Sequence, residues 1–194
     1  MGLNEAYKKT HKPKMGDKTP YKQGYFIPKY HPEKCLTNGQ NIYRSGLEYE
    51  FFDLCDRWPD ILHYACEPIS VKYLDPMANI EYCRKNHLDV SNPIYWKQRN
   101  YNIDMWVEMK SADGTVRKIF VEIKPQAQTV PPKPLPDNAK MKEIKRFNHD
   151  AATYLTNKAK WDAAIKFAHE RGCEFQIWTE VLLKQLQKRI GMGK

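Results

Sequence analysis

The chain has 194 residues, 41% of them hydrophobic and 28% charged, a composition that suits one globular domain with a real core and excludes a disordered or collagen-like chain. Lys and Arg total 32 against 23 Asp and Glu, a formal net charge of +9; this points to a polyanion, most often nucleic acid, or else to a basic surface with no charged partner. No run approaches the ~20 apolar residues of a membrane span, and Met1 to Glu5 lacks the apolar stretch of a secretory signal, so membrane proteins and secreted precursors are set aside.

Residues 1–34 carry eight lysines against Glu5, Asp17 and Glu33, with four prolines and four tyrosines. No helical or alternating period runs through them, so residues 1–40 read as a basic extended arm. Lys8, Lys9, Lys12 and Lys14 are its candidate DNA contacts. The tyrosines and prolines favour instead a segment lying along a partner protein or along its own domain. The domain proper spans 41–190.

From Arg44 to Trp58, Leu47, Phe51, Leu54 and Cys55 fall on one helical face. Ser45 with Glu48 three residues on predicts a capping box, and Trp58-Pro59 ends the helix. Residues 68–73 alternate as a short strand. Residues 74–100 read as an insertion or long loop with a short helix around 79–86. Tyr101–Lys110 predicts one strand, with Ile103, Met105, Val107 and Met109 on one side and Asp104, Trp106 and Glu108 on the other. Val116–Lys124 is a second strand, joined to the first by a loop at 112–114. A Pro-rich link over 125–137 leads to a helical stretch over 138–171, which Thr156 or Asn157 divides in two and Gly172 stops. Trp161, Ala164, Ile165 and Ala168 form its apolar face. A strand over 174–179 and a basic helix over 180–190 close the chain.

Cysteines stand at 35, 55, 66, 83 and 173. The odd count and the lack of Cys-x-x-Cys predict free thiols in a reducing compartment. Cys83 and His87 have helical ligand spacing but no second pair, so they read as ordinary residues.

Asp104 and Glu122 are carboxylates inside apolar strands, where an unpaired charge is costly. Lys124 follows Glu122 by two and shares its side. Asp, Glu and Lys on one sheet face suit metal-assisted phosphodiester cleavage, with hard oxygens for Mg²⁺ and an ammonium for phosphate or water. A plain surface salt bridge uses the same residues. The loop register decides whether the carboxylates meet. A two-residue turn sets 104 opposite 123 and separates the faces; a three-residue loop, with Gly114 left-handed, sets 104 opposite 122.

The order Tyr43-Arg44-Ser45 with Glu48, Cys66-Glu67-Pro68, Asp104, and Val121-Glu122-Ile123-Lys124-Pro125, closed by Lys160-Trp161 and Phe175 to Glu180, resembles the PD-(D/E)xK nuclease superfamily. More narrowly it is similar to the head completion nucleases of tailed bacteriophages and to the endonuclease subunit of heteromeric bacterial transposases. The similarity covers about residues 41–182. It departs at Asn102-Ile103, where the superfamily has Pro before the Asp. The resemblance implies a restriction-endonuclease-like α/β core, a mixed central sheet flanked by helices. It implies Asp104, Glu122 and the Ile123 carbonyl as ligands to Mg²⁺, with Mn²⁺ as the alternative ion. Lys124 is then the catalytic lysine, and Glu48 a helix acid completing the site and a further metal ligand. Arg44 becomes a phosphate contact, or packs the helix start; Glu67 and Glu180 hold structure. Implied partners are DNA and phage head or neck proteins, the latter through residues 1–34, with no membrane. The place is the host cytoplasm during assembly, or the virion at the head–tail junction. Two rivals stand beside a phage endonuclease: a head–tail structural protein that holds DNA, and a transposase-type nuclease subunit.

Overall fold

The computed structural model describes residues 23–37 and 41–191 of the chain. Among the described residues the strands and α-helices follow in this order: β1 Gly24–Phe26, β2 Asn41–Tyr43, α1 Gly46–Arg57, β3 Ile61–Cys66, β4 Ser70–Leu74, α2 Pro76–Lys85, β5 Gln98–Asn102, β6 Met105–Lys110, β7 Val116–Ile123, α3 Met141–His169, β8 Glu174–Trp178 and α4 Glu180–Arg189. The central sheet runs β3-β6-β7-β8. β8 is parallel to β7 and the other neighbours are antiparallel, so the sheet is mixed and helices cover both faces, as in restriction-endonuclease-like folds.

One face packs on α1 and α4. Its core joins Phe51, Leu54, Tyr64, Met105, Val107, Ile119, Val121, Trp178 and Leu183. The other face packs on α3, with Val71, Tyr73, Tyr101, Ile103, Phe120, Ala164 and Ala168. Along β7, odd positions therefore face α1 and even positions face α3, the period of two that a strand imposes.

The β6–β7 turn takes the three-residue form. Met105 pairs with Val121 and Lys110 with Val116, the Ser111 amide donates to the Thr115 carbonyl at 2.8 Å, and Gly114 sits at φ +85°, where a Cβ would be strained. Extending this register sets residue 104 opposite 122.

Several expectations shift. Tyr101–Lys110 is two strands. β5 pairs with β4, while β6 pairs with β3 and β7. The break falls at Ile103-Asp104, opposite Glu67, whose left-handed backbone (φ +42°) bends the partner strand. Ile103 thereby joins the α3 core rather than the side of Met105. The strand β3 escapes the sequence reading because Ile61–Cys66 buries both faces unevenly instead of alternating. The helix at 141–169 is unbroken, with Asn157 buried in it; Ile165 is exposed and the packed stripe is Asn157, Trp161, Ala164 and Ala168. Within 74–100, α2 starts earlier than the sequence suggests. Pro76 occupies its first turn, and the Asp75 side chain accepts the Met77 and Ala78 amides at 3.1 Å each.

Part of the sequence-defined arm is folded. β1 pairs with β2, and Gly24 lies so close to Tyr43 that a Cβ there would come 2.7 Å from its hydroxyl. Phe26 is buried against Phe52 and Tyr49. The fully buried Asp56 carboxylate accepts the amides of Lys29, Tyr30 and His31 at 2.7, 2.9 and 3.0 Å. Three donors on one buried charge anchor this stretch without any periodic pattern.

Candidate active site

The C-terminal end of β7 meets the β5–β6 break, and there three predicted residues converge. Glu122 is buried at 1% exposure; Asp104 and Lys124 are half-buried. The Lys124 ammonium lies 2.8 Å from Glu122 Oε1, 3.8 Å from Asp104 Oδ2 and 3.3 Å from the Ile123 carbonyl. Asp104 Oδ2 accepts the Ile123 amide at 2.8 Å. The three oxygens implied as metal ligands thus surround one cationic nitrogen.

The charges do not balance. Burial and the neighbouring Glu122 push the Asp104 carboxyl well above the usual carboxylate range, against the pull of Lys124 and the Ile123 amide. Burial acts against the Lys124 ammonium, but Asp104 and Glu122 outweigh it and raise its pKa. With both acids ionised, one ammonium would leave the confined site short of positive charge, and the raised Asp104 pKa expresses that shortage. Hard, charged oxygens with an unmet demand for positive charge are a donor set that fits a divalent cation. The offer is modest in number: among the described residues, no three His, Cys, Asp or Glu side chains gather in metal-binding geometry.

Glu48 is held at the start of α1. Its carboxylate accepts the Arg44 amide at 2.8 Å and the Ser45 hydroxyl at 2.9 Å, while its own amide donates to Ser45 Oγ at 3.1 Å, the predicted capping box. Its charge still reaches the centre, opposing ionisation of Asp104 and favouring protonation of Lys124. Arg44 is ion-paired with Glu67, whose amide donates to the Asp104 carbonyl at 2.9 Å. Glu180 accepts the Gln126 amide at 2.8 Å and ties the Pro-rich link to α4. Lys8, Lys9, Lys12 and Lys14 lie outside the described residues.

Sequence reasoning missed Tyr101. Its buried phenol donates to Glu122 Oε2, so Glu122 is held at one oxygen by Tyr101 and at the other by Lys124. An unbroken strand would have put Tyr101 on the opposite face; only the break at Ile103-Asp104 turns it toward Glu122. Lys160 of α3 places its ammonium 5.7 Å from the Tyr101 ring centre and 5.9 Å from that of Tyr73, within cation–π range. Nothing in local spacing signals either contact.

Residues 58–180 match the family described as TnsA-like endonuclease N terminal. The chain is also 34% identical over 144 residues to the head completion nuclease of Enterobacteria phage T4, a match covering 74% of this chain and 81% of that protein. Asp104, Glu122 and Lys124 all fall inside residues 58–180, the span of the family match.

Proposed function

The chain belongs to the TnsA-like endonuclease family, and from that premise we propose that it is a divalent-metal-dependent DNA endonuclease of a tailed phage, acting during head completion. The observation that carries this reading is the convergence of Asp104 Oδ2, Glu122 Oε1 and the Ile123 carbonyl on the Lys124 ammonium, in a site left short of positive charge. The similarity to a head completion nuclease supports the phage setting.

Asp104, Glu122 and the Ile123 carbonyl would hold Mg²⁺ or Mn²⁺, with Glu48 as a further acid, and the ion would supply Lewis acidity toward phosphate and water. The chain's own residues do the rest. The Ile123 amide fixes Asp104, and Tyr101 fixes Glu122, so the acids need little reorganisation. Lys124, whose ammonium carries three donor hydrogens and is already held by Glu122 and the Ile123 carbonyl, orients water or steadies charge developing on the phosphate oxygens. Arg44, at the mouth beside Glu67, contacts the DNA backbone. The setting is the host cytoplasm during assembly, with the head–tail junction as the place in a finished virion. Residues 1–34 are the segment for head or neck proteins, although residues 24–34 also serve the fold. The TnsA-like match favours one second reading, a transposase-type endonuclease subunit working with a partner; finding the gene among phage head genes would argue against it.

Incubating supercoiled plasmid with the full chain tests the proposal. Nicked or linear product in Mg²⁺ and none in EDTA is expected. Equal cleavage in EDTA, or none under any divalent ion, contradicts it.

A further inference from the structure

The two-stranded ribbon β4–β5 leaves the central sheet at the active site. Ser70 pairs with Asn102, Lys72 with Asn100 and Leu74 with Gln98. These six side chains form one face, and all of them are exposed. The other face is anchored: Val71, Tyr73 and Tyr101 pack against α3. Asp75, at the end of β4, accepts from Arg99 at 3.0 Å and from Thr156 of α3 at 3.2 Å. An isolated two-stranded ribbon is marginal in water, so this one owes its rigidity to its mounting.

The exposed face has no structural task. Among the described residues, the side chains of Lys72, Gln98, Asn100 and Asn102 make no hydrogen bond or ion pair. Asn is also a poor strand former, so its use twice in β5 works against local stability. The face offers amide and ammonium groups, and neither strand contains an acid. Asn102 is two residues from Asp104, about 7 Å along an extended chain.

We infer that the exposed β4–β5 face docks against duplex DNA, entering a groove beside the phosphate that lies at the active site of Asp104, Glu122 and Lys124. The inference rests on the nuclease reading and names a contact surface for its substrate. The chemistry fits. The major groove, about 12 Å wide, admits a two-stranded ribbon, and Asn, Gln and Lys are side chains that pair with base edges. Same-face side chains along a strand are about 6.6 Å apart, close to two base-pair steps. Lys72 supplies the charge complementary to phosphate.

The test measures binding of a labelled duplex to the full chain in EDTA, where cleavage does not interfere. Asn100→Ala with Asn102→Ala should weaken binding about tenfold or more, since a good side-chain–base pair contributes about 1–3 kcal/mol. Lys72→Ala should lower the slope of log K against log salt by about 0.9. Lys166→Ala, an exposed lysine in the last turn of α3, is the charge-matched control and should bind as the parent does. Because the ribbon side chains are exposed and unpartnered, melting temperatures should match; Lys72→Glu is a second variant and should weaken binding further. If the parent nicks plasmid and every ribbon variant binds DNA with the parent's affinity and salt slope, the ribbon inference is overturned while the nuclease reading stands. If the parent neither binds nor nicks DNA, the nuclease reading fails and the ribbon inference falls with it.

Discussion

Asp104 Oδ2 accepts the backbone amide of Ile123 at 2.8 Å. The first acid of the site is therefore fixed by the main chain of the strand that carries the second. The three-residue turn makes this geometry, because a one-residue slip would send Glu122 to the opposite face.

Asp104→Asn and Glu122→Gln should each lose cleavage by about a hundredfold or more, the upper end of what disturbed metal sites cost. Both conserve volume, and circular dichroism should show a folded chain. Duplex binding should persist or tighten, since less negative charge faces the phosphate. Cleavage at the parent's rate by both variants would exclude these carboxylates from the reaction.

Lys124→Ala should lower the maximal rate more than it lowers Mn²⁺ affinity measured by calorimetry. The ammonium is a donor and a charge, not a ligand. Without metal, the variant should also melt earlier, because Glu122 at 2.8 Å loses its counter-charge. Adding divalent ion should recover part of that loss. A collapse of Mn²⁺ affinity with the rate intact would contradict this role.

Tyr101→Phe removes the donor to Glu122 Oε2 and little volume. A hydrogen-bonded neighbour of a ligand typically matters about 10–100-fold in affinity or activity. The expected result is weaker Mn²⁺ binding by calorimetry, with stability lowered by about 1–3 kcal/mol from the unsatisfied oxygen. Unchanged affinity would make Tyr101 a packing residue only.

Asp75 ties the ribbon to the domain. Burial pushes its carboxyl up, but the Ala78 amide, Arg99 and Thr156 outweigh burial and hold it below the usual range. A depressed folded-state pKa gives stability that is present above the ordinary value and is lost as pH falls through the lower one. Asp75→Ala should therefore cost about 2 kcal/mol at neutral pH, through the lost cap and pair, and the difference from the parent should shrink in acid. Equal destabilisation at every pH would show that the carboxylate charge is not what holds the ribbon.

Deleting residues 1–34 should unfold or severely destabilise the chain, because it strips Asp56 of three donors and removes Phe26 from the core; a buried charge without partners costs about 3–5 kcal/mol. Deleting only residues 1–22 keeps Phe26 and the three amides that Asp56 accepts. Comparing duplex affinity and salt slope of the shorter deletion with the parent then isolates its six lysines. A stable 1–34 deletion would show that the Asp56 anchor is dispensable.

The site's main parts were legible because they follow local rules. The Ser45–Glu48 box, the Gly114 turn and the Glu122-x-Lys124 spacing are each set by neighbours within a few residues. What escaped depends on partners far apart in the chain. Asp56 gathers amides some 26 residues upstream, Tyr101 reaches Glu122 only through the break at Ile103-Asp104, and β3 shows no regular alternation. The long helix kept Thr156 and Asn157 in its interior because Thr156 bonds Asp75 and Asn157 is buried, tertiary contacts that outweigh local propensity.

The most direct test of the central claim is anomalous diffraction from crystals soaked in Mn²⁺. The expected result is a peak in contact with the carboxylates of Asp104 and Glu122, lost in Glu122→Gln crystals together with plasmid nicking. No peak between these two residues, with Glu122→Gln still nicking in Mn²⁺ as the parent does, would contradict it.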